Sequence, residues 1–203
     1  MTTDCHVSIS LDGYLAGPEQ SLDAPLGRGG ERVHAWHWPG REAANEAEAE
    51  ATADLLAPRG AFVMGRNMFG PVRGPWSSFD GDWRGWWGEE PPYRAPVFVL
   101  THHAHDPIVA GGTTFHFVTE GFDAAYARAV DAAEGGDIRI AGGASTVRQA
   151  FAAGVLDELT LDVAPVLLGA GERLLGGVDD PGLTLLSATS SPLATHLRYR
   201  VGR

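Results

Sequence analysis

Arg66, Thr101, His102, His103 and the run Ala141-Gly142-Gly143-Ala144-Ser145-Thr146 are of residue types that suit one chemistry, the binding of phosphate. A guanidinium presents a fixed fork of donors matched to phosphate oxygens. Hydroxyls add donors, and a histidine beside an anion gains a proton more easily. Glycines that open a helix leave backbone N–H groups free at the positive end of its dipole, and an anion can come close there. Each piece also has a plainer reading. The glycine pair could be a tight turn, Arg66 a surface arginine, and the histidines ordinary turn residues. Asp12 is a candidate of another kind. After the first strand it could supply a proton, or Asp12-Gly13 could be a turn whose carboxylate bonds its own backbone. No G-x-S-x-G occurs, so acyl transfer by a serine nucleophile is not expected. His102, His103 and His105 lack the spacing of a metal site.

The periodicity says what positions these residues. Ile138 and Ile140 alternate as in a half-buried strand, Gly142-Gly143 breaks it, and Val147, Ala150 and Phe151 recur at helical spacing up to Gly154. Ala61 to Met64 and Pro96 to Leu100 are continuous apolar runs, read as buried strands ending in Gly65-Arg66-Asn67-Met68 and Thr101-His102-His103. Strands are also expected at His6 to Ile9, Thr114 to Val118, Leu156 to Val163, Leu183 to Ala188 and Leu193 to Val201. Helices are expected over Arg41 to Leu56 and Phe122 to Ala133, the carboxylates of the first (Glu42, Glu46, Glu48, Glu50, Asp54) mostly forming a solvated face. Strand and helix alternate over two thirds of the chain and strands alone close it. That order predicts an α/β domain spanning 1–203, a mostly parallel sheet with helices on its faces and an antiparallel C-terminal edge. Ligands of such sheets bind beyond the carboxyl ends of the strands. If the three polar tips are neighbours, their crevice suits a dinucleotide carrying an extra phosphate.

Two irregular stretches remain. Glu19 to Gly40 holds Trp36 and Trp38, and reads as a lid, a substrate-facing loop, or rings packed onto the body. Gly70 to Pro92 holds Trp76, Trp83, Trp86 and Trp87, which could cap a pocket or line a dimer interface. The 203 residues are 44% hydrophobic and 20% charged, with net charge -11. That charge argues against nucleic acid and anionic membrane surfaces as partners. The single cysteine, Cys5, allows no internal disulfide, and no signal peptide or membrane-spanning run is seen, so a cytoplasmic protein is expected.

The runs Ser10–Gly17 (SLDGYLAG), Val63–Phe69 (VMGRNMF), Pro96–His102 (PVFVLTH), Ile140–Phe151 (IAGGASTVRQAF) and Val163–Leu175 (VAPVLLGAGERLL) resemble the dihydrofolate reductase-like family. More narrowly, they resemble bacterial stand-alone proteins similar to the reductase domain of riboflavin biosynthesis. The resemblance runs over nearly the whole chain. It implies a three-layer fold, hydride transfer from NADPH to a small heterocyclic substrate, and a homodimer. It also implies that Gly65 to Met68 and Thr101 to His103 face the adenosine and its 2′-phosphate. Ala141 to Thr146 would take the pyrophosphate, and Ile9, Leu15 and Ala16 would lie beside the nicotinamide. The chain departs from the riboflavin reductases at Ile140, where they place a glutamate before this glycine turn. Two other readings stay open: a cofactor-binding protein without turnover, and a structural homodimer with a vestigial site.

Overall fold

A computed structural model describes residues 1–38, 40–70 and 74–202. In chain order the elements are β1 (Thr3–Ser10), α1 (Glu46–Leu55), β2 (Ala61–Gly65), α2 (Arg66–Phe69), β3 (Pro96–Leu100), β4 (Ile108–Ala110), β5 (Thr113–Val118), α3 (Phe122–Ala132), β6 (Ile138–Gly142), α4 (Ala144–Ala152), β7 (Glu158–Ala164), β8 (Thr184–Ser190) and β9 (Thr195–Arg200). Among the described residues, nine strands form one sheet in the order β4-β5-β3-β2-β6-β1-β7-β9-β8. The six from β5 to β7 run parallel, and β9 and β8 close one edge antiparallel, as the order of elements predicts. The short antiparallel β4 at the other edge was not expected. Its three residues are too few to show a period.

One sheet face is apolar. Cys5, Val7 and Ile9 of β1 pack there with Val63, Phe98, Ile138, Ile140 and Leu159. Phe122, Ala125 and Ala129 of α3 and Val147 and Ala150 of α4 cover them. The small alanines let both helices approach the sheet closely, and burial at roughly 25 cal/mol per Å² drives the contact. On the opposite face the two halves of the sheet differ. Under β2, β3 and β5 a second apolar cluster holds Phe62, Met64, Val97, Val99, Phe115 and Phe69. Under β1, β6, β7 and β9 the buried residues include polar ones, His6, Ser8, Arg139, Asp162 and His196, with Asp4 partly buried beside them.

That polar layer explains α1. The helix is capped by Asn45 and begins at Glu46, later than the composition of Arg41 to Leu56 suggests. Asn45 Oδ1 accepts from Glu48 N (3.0 Å), and a Glu48 carboxylate oxygen accepts from Ala44 N (2.9 Å). This is close to a capping box, which fixes the first turn. Glu48 is fully buried and paired with Arg41, the exception to an acidic face that is otherwise mostly solvated as expected. At the other end, Arg139 Nη1 donates to the carbonyls of Asp54 and Leu55, both at 2.8 Å. It thereby satisfies carbonyls that no helix can bond internally. Residues 19–38 cross this face with two 3-10 turns, Gly30–Val33 and Ala35–His37. Trp36 is packed down, its Nε1 donating to Ser8 Oγ at 3.0 Å, while Trp38 is exposed. Pro39 and residues 71–73, part of the two irregular stretches, lie outside the described residues.

Candidate active site

The three polar tips belong to neighbouring strands. Gly65 of β2 stands opposite Leu100 of β3, and Met64 opposite Gly142 of β6. Gly65-Arg66-Asn67, Thr101-His102-His103 and Gly142 to Thr146 therefore share one end of the sheet. Three contacts knit them. The Arg66 Nη1 donates to Thr101 Oγ1 at 3.2 Å. A Cβ placed on Gly65 would stand 2.8 Å from Thr146 Oγ1, so α2 and the first turn of α4 meet closely. Met68 packs beside Gly142, and Ala141 joins the same apolar cluster.

At β6 the backbone turns through Gly142, whose φ of 112° is open to glycine and strained for other residues. Gly143 caps α4 with no described side chain bonded to the helix N-terminus, and no atom of the described residues lies within 4 Å of where its Cβ would be. The first N–H groups of α4 thus have no side-chain cap among the described residues, and such groups suit an anion. Ser145 is exposed and Thr146 buried.

Arg66 is held on three sides. Its Nε donates to the Gly70 carbonyl at 3.2 Å, Nη1 engages Thr101, and Trp76 lies beneath with Cζ 3.2 Å from the ring centroid. Nη2 is buried and finds no hydrogen-bond partner among the described residues. Loss of water lowers the guanidinium pKa to about 10, which leaves it charged at neutral pH. Thr101 Oγ1 also accepts from His103 N at 3.1 Å, closing the β3 tip. His102 is exposed and His103 half-buried.

The β1 tip lies at the same end of the sheet. Ile9 and Leu15 share the apolar cluster, and Ala16 is buried beside them. Leu15 N donates to the Glu172 carbonyl, and Glu172 N to the Ala16 carbonyl. Asp12 accepts from Ser10 Oγ (2.6 Å), Gly169 N (2.7 Å) and Leu168 N (3.1 Å). The Ser10 hydroxyl, with those amides, holds its pKa at about 2. Asp12 thus ties the β1 turn to the 168–169 loop as a carboxylate. The expectation of a proton donor gains no support from this geometry, and the turn reading fits it, with distant amides bonded.

Sequence reasoning missed the buried polar chain under α1. His6 Nδ1 bonds Asp54 (2.9 Å), His6 Nε2 bonds Asp162 (2.8 Å), and Asp162 bonds His196 Nδ1 (2.7 Å). Burial opposes charge on His6, but the two carboxylates outweigh it and raise its pKa. Asp4 pairs with Arg139 and Arg59 beside it. The signal was present: Asp4, His6, Ser8 and Ser10 alternate along β1 and so share one face. Among the described residues no cluster of His, Cys, Asp or Glu could hold a metal.

Solved structures of the same fold span the whole chain. A protein from Shewanella sp. PV-4 assigned to riboflavin biosynthesis is 23% identical over 100% of both chains, with TM-score 0.66. Dihydrofolate reductase from Enterococcus faecalis, solved with NADP(H), is 13% identical over 100% of this chain and 97% of its own, with TM-score 0.59. A Thermotoga maritima pyrimidine deaminase/reductase is 11% identical over 98% of this chain, with TM-score 0.60. This chain spans 56% of that protein. Sheet order and neighbours together define a dihydrofolate reductase-like fold. Residues 4–197 match the RibD C-terminal domain, and the chain belongs to that family. No curated protein sequence matches it.

Proposed function

We propose that this protein is an NADPH-dependent reductase that reduces a small pyrimidine- or pterin-like heterocycle. The observation that carries the reading is the buried Nη2 of Arg66, without a hydrogen-bond partner among the described residues, at a tip shared with Thr101 and beside the α4 N-terminus, which no described side chain caps. These residues fit a dinucleotide with an additional phosphate. Arg66 and Thr101 would hold the 2′-phosphate, with His102 and His103 at its rim, and Gly65, Asn67 and Met68 would border the adenosine. Ala141, Gly142, Gly143, Ala144, Ser145 and Thr146 would receive the pyrophosphate. Ile9, Leu15 and Ala16 would shield the nicotinamide from water. Bound NADPH supplies a hydride, and catalysis of such a step rests on orientation more than on a nucleophile. Asp12 would brace the turn that carries Leu15 and stay ionised, so the accompanying proton would come from water. The names of family and neighbours support the reductase class.

That bonding of Asp12 also favours a second reading, a protein that binds NADP(H) without turnover. The test is the loss of NADPH absorbance with a panel of aminopyrimidines, pterins and flavin precursors. Oxidation dependent on one of them supports the reductase. NADPH binding with no oxidation by any supports the second reading.

A further inference from the structure

Three tryptophans of the segment between α2 and β3 donate their indole N–H groups to carbonyls of α2 and of the β3 tip. Trp76 bonds His103 O (2.9 Å), Trp83 bonds Phe69 O (2.8 Å) and Trp86 bonds Asn67 O (3.0 Å). Indoles fixed this way are supports for α2 and for the β3 tip. Gly70 belongs to the same arrangement, since a Cβ there would stand 2.5 Å from the Trp86 ring.

Trp76 does more than its neighbours. Its ring carries the Arg66 guanidinium, with Cζ 3.2 Å from the centroid. Phe117 (4.9 Å), His105 (4.6 Å) and Phe69 (6.0 Å) pack around the ring and hold it in place. The arginine is thereby fixed while one of its nitrogens finds no acceptor among the described residues. A buried N–H group with no acceptor costs free energy until one reaches it. A side chain ordered beforehand also spares the ligand the entropy of ordering it.

We propose that Trp76 is the positioning residue that makes Arg66 selective for a phosphorylated dinucleotide. The proposal rests on the reading of Arg66 as the group that meets the 2′-phosphate. Trp76 itself touches no ligand in this account. It sets the plane and position of the guanidinium, and its N–H links that plane to the tip bearing Thr101.

The test is calorimetric titration of NADPH and NADH against wild type, Trp76→Ala, Trp76→Leu, Trp76→Phe, Arg66→Ala and the Arg66→Ala/Trp76→Ala pair. Trp76→Ala should weaken NADPH binding roughly threefold to tenfold and leave NADH nearly unchanged. Trp76→Leu, which fills the space without a π face, should do the same and decides the matter if the alanine variant melts early. Trp76→Phe should retain more of the preference than either. The double variant should be no weaker than Arg66→Ala alone, because the tryptophan acts through the arginine. Equal loss for both cofactors in Trp76→Ala and Trp76→Leu, or an unchanged ratio while Arg66→Ala lowers it, overturns the inference and leaves the phosphate reading standing. An unchanged ratio in Arg66→Ala overturns both.

Discussion

His6 shows what a single side chain contributes here. Both ring nitrogens face carboxylates, so the imidazole is held as a cation between Asp162, fully buried, and Asp54, half-exposed. Its raised pKa makes a contribution to stability that is fully present below the ordinary value of 6.5 and is lost as pH rises through the raised value. The two carboxylates work in the opposite direction. Their lowered pKa values give stability present above 3.8 and lost as acid protonates them, Asp54 at about 2. His6→Gln should therefore lower the melting temperature most between pH 4 and 6.5, by the equivalent of about 3 kcal/mol for a broken buried pair. The gap from wild type should narrow on the alkaline side. Thermal melts across pH check this, and a gap that widens above neutrality would show that His6 is neutral. Arg66 is the corresponding case at the candidate site. The sequence singled it out as a candidate from its place at a strand tip, but its stacking on Trp76 depends on a loop with no period to read.

Among the elements, the strap over residues 30–38 carries its own pH dependence. His34 Nδ1 and His37 Nε2 are 3.3 Å apart, and a hydrogen bond between them requires one neutral ring. Burial, with His34 nearby, lowers the His37 pKa to about 4. Stability from a neutral His37 is thus fully present above pH 6.5 and is lost as pH falls towards 4. His37→Gln should flatten the acid limb of the stability curve over that interval. Urea unfolding at pH 7 and pH 5 measures it, and an unchanged slope would show that His37 titrates normally. Elements with a clear apolar pattern were legible: the six parallel strands, α3, α4 and the C-terminal hairpin fell close to where alternation, continuous apolar runs and helical spacing put them. The start of α1 was not, because alanine and glutamate favour helix throughout 41–56 and composition hid the Asn45…Glu48 cap. Nor did the tryptophan-rich stretch show its target. Its bonds reach carbonyls 14 to 27 residues away, and local patterns carry no such information.

For the whole molecule, three strand tips share one end of the sheet because β3, β2 and β6 are neighbours, an order the sequence left conditional. No described helix is long and apolar enough to cross a membrane. Every residue of the edge strand β8 is exposed, including Leu185 at 54% and Leu186 at 40%. An unpaired edge of that kind invites a second chain, and the homodimer expected from the sequence is proposed to form there. Sedimentation at micromolar concentration should give a dimer that Leu185→Lys converts to monomer; a wild-type monomer would contradict this. The central claim is that the tip crevice reads a phosphorylated nicotinamide cofactor. Calorimetric titration of wild type and Arg66→Ala with NADPH and NADH tests it most directly. The account predicts saturable NADPH binding, tighter than NADH by roughly tenfold to a hundredfold, the yield of one charge-assisted hydrogen bond, with Arg66→Ala losing that margin and keeping its NADH affinity. Equal affinity for the two cofactors in the wild type, or no saturable binding of either, would contradict it.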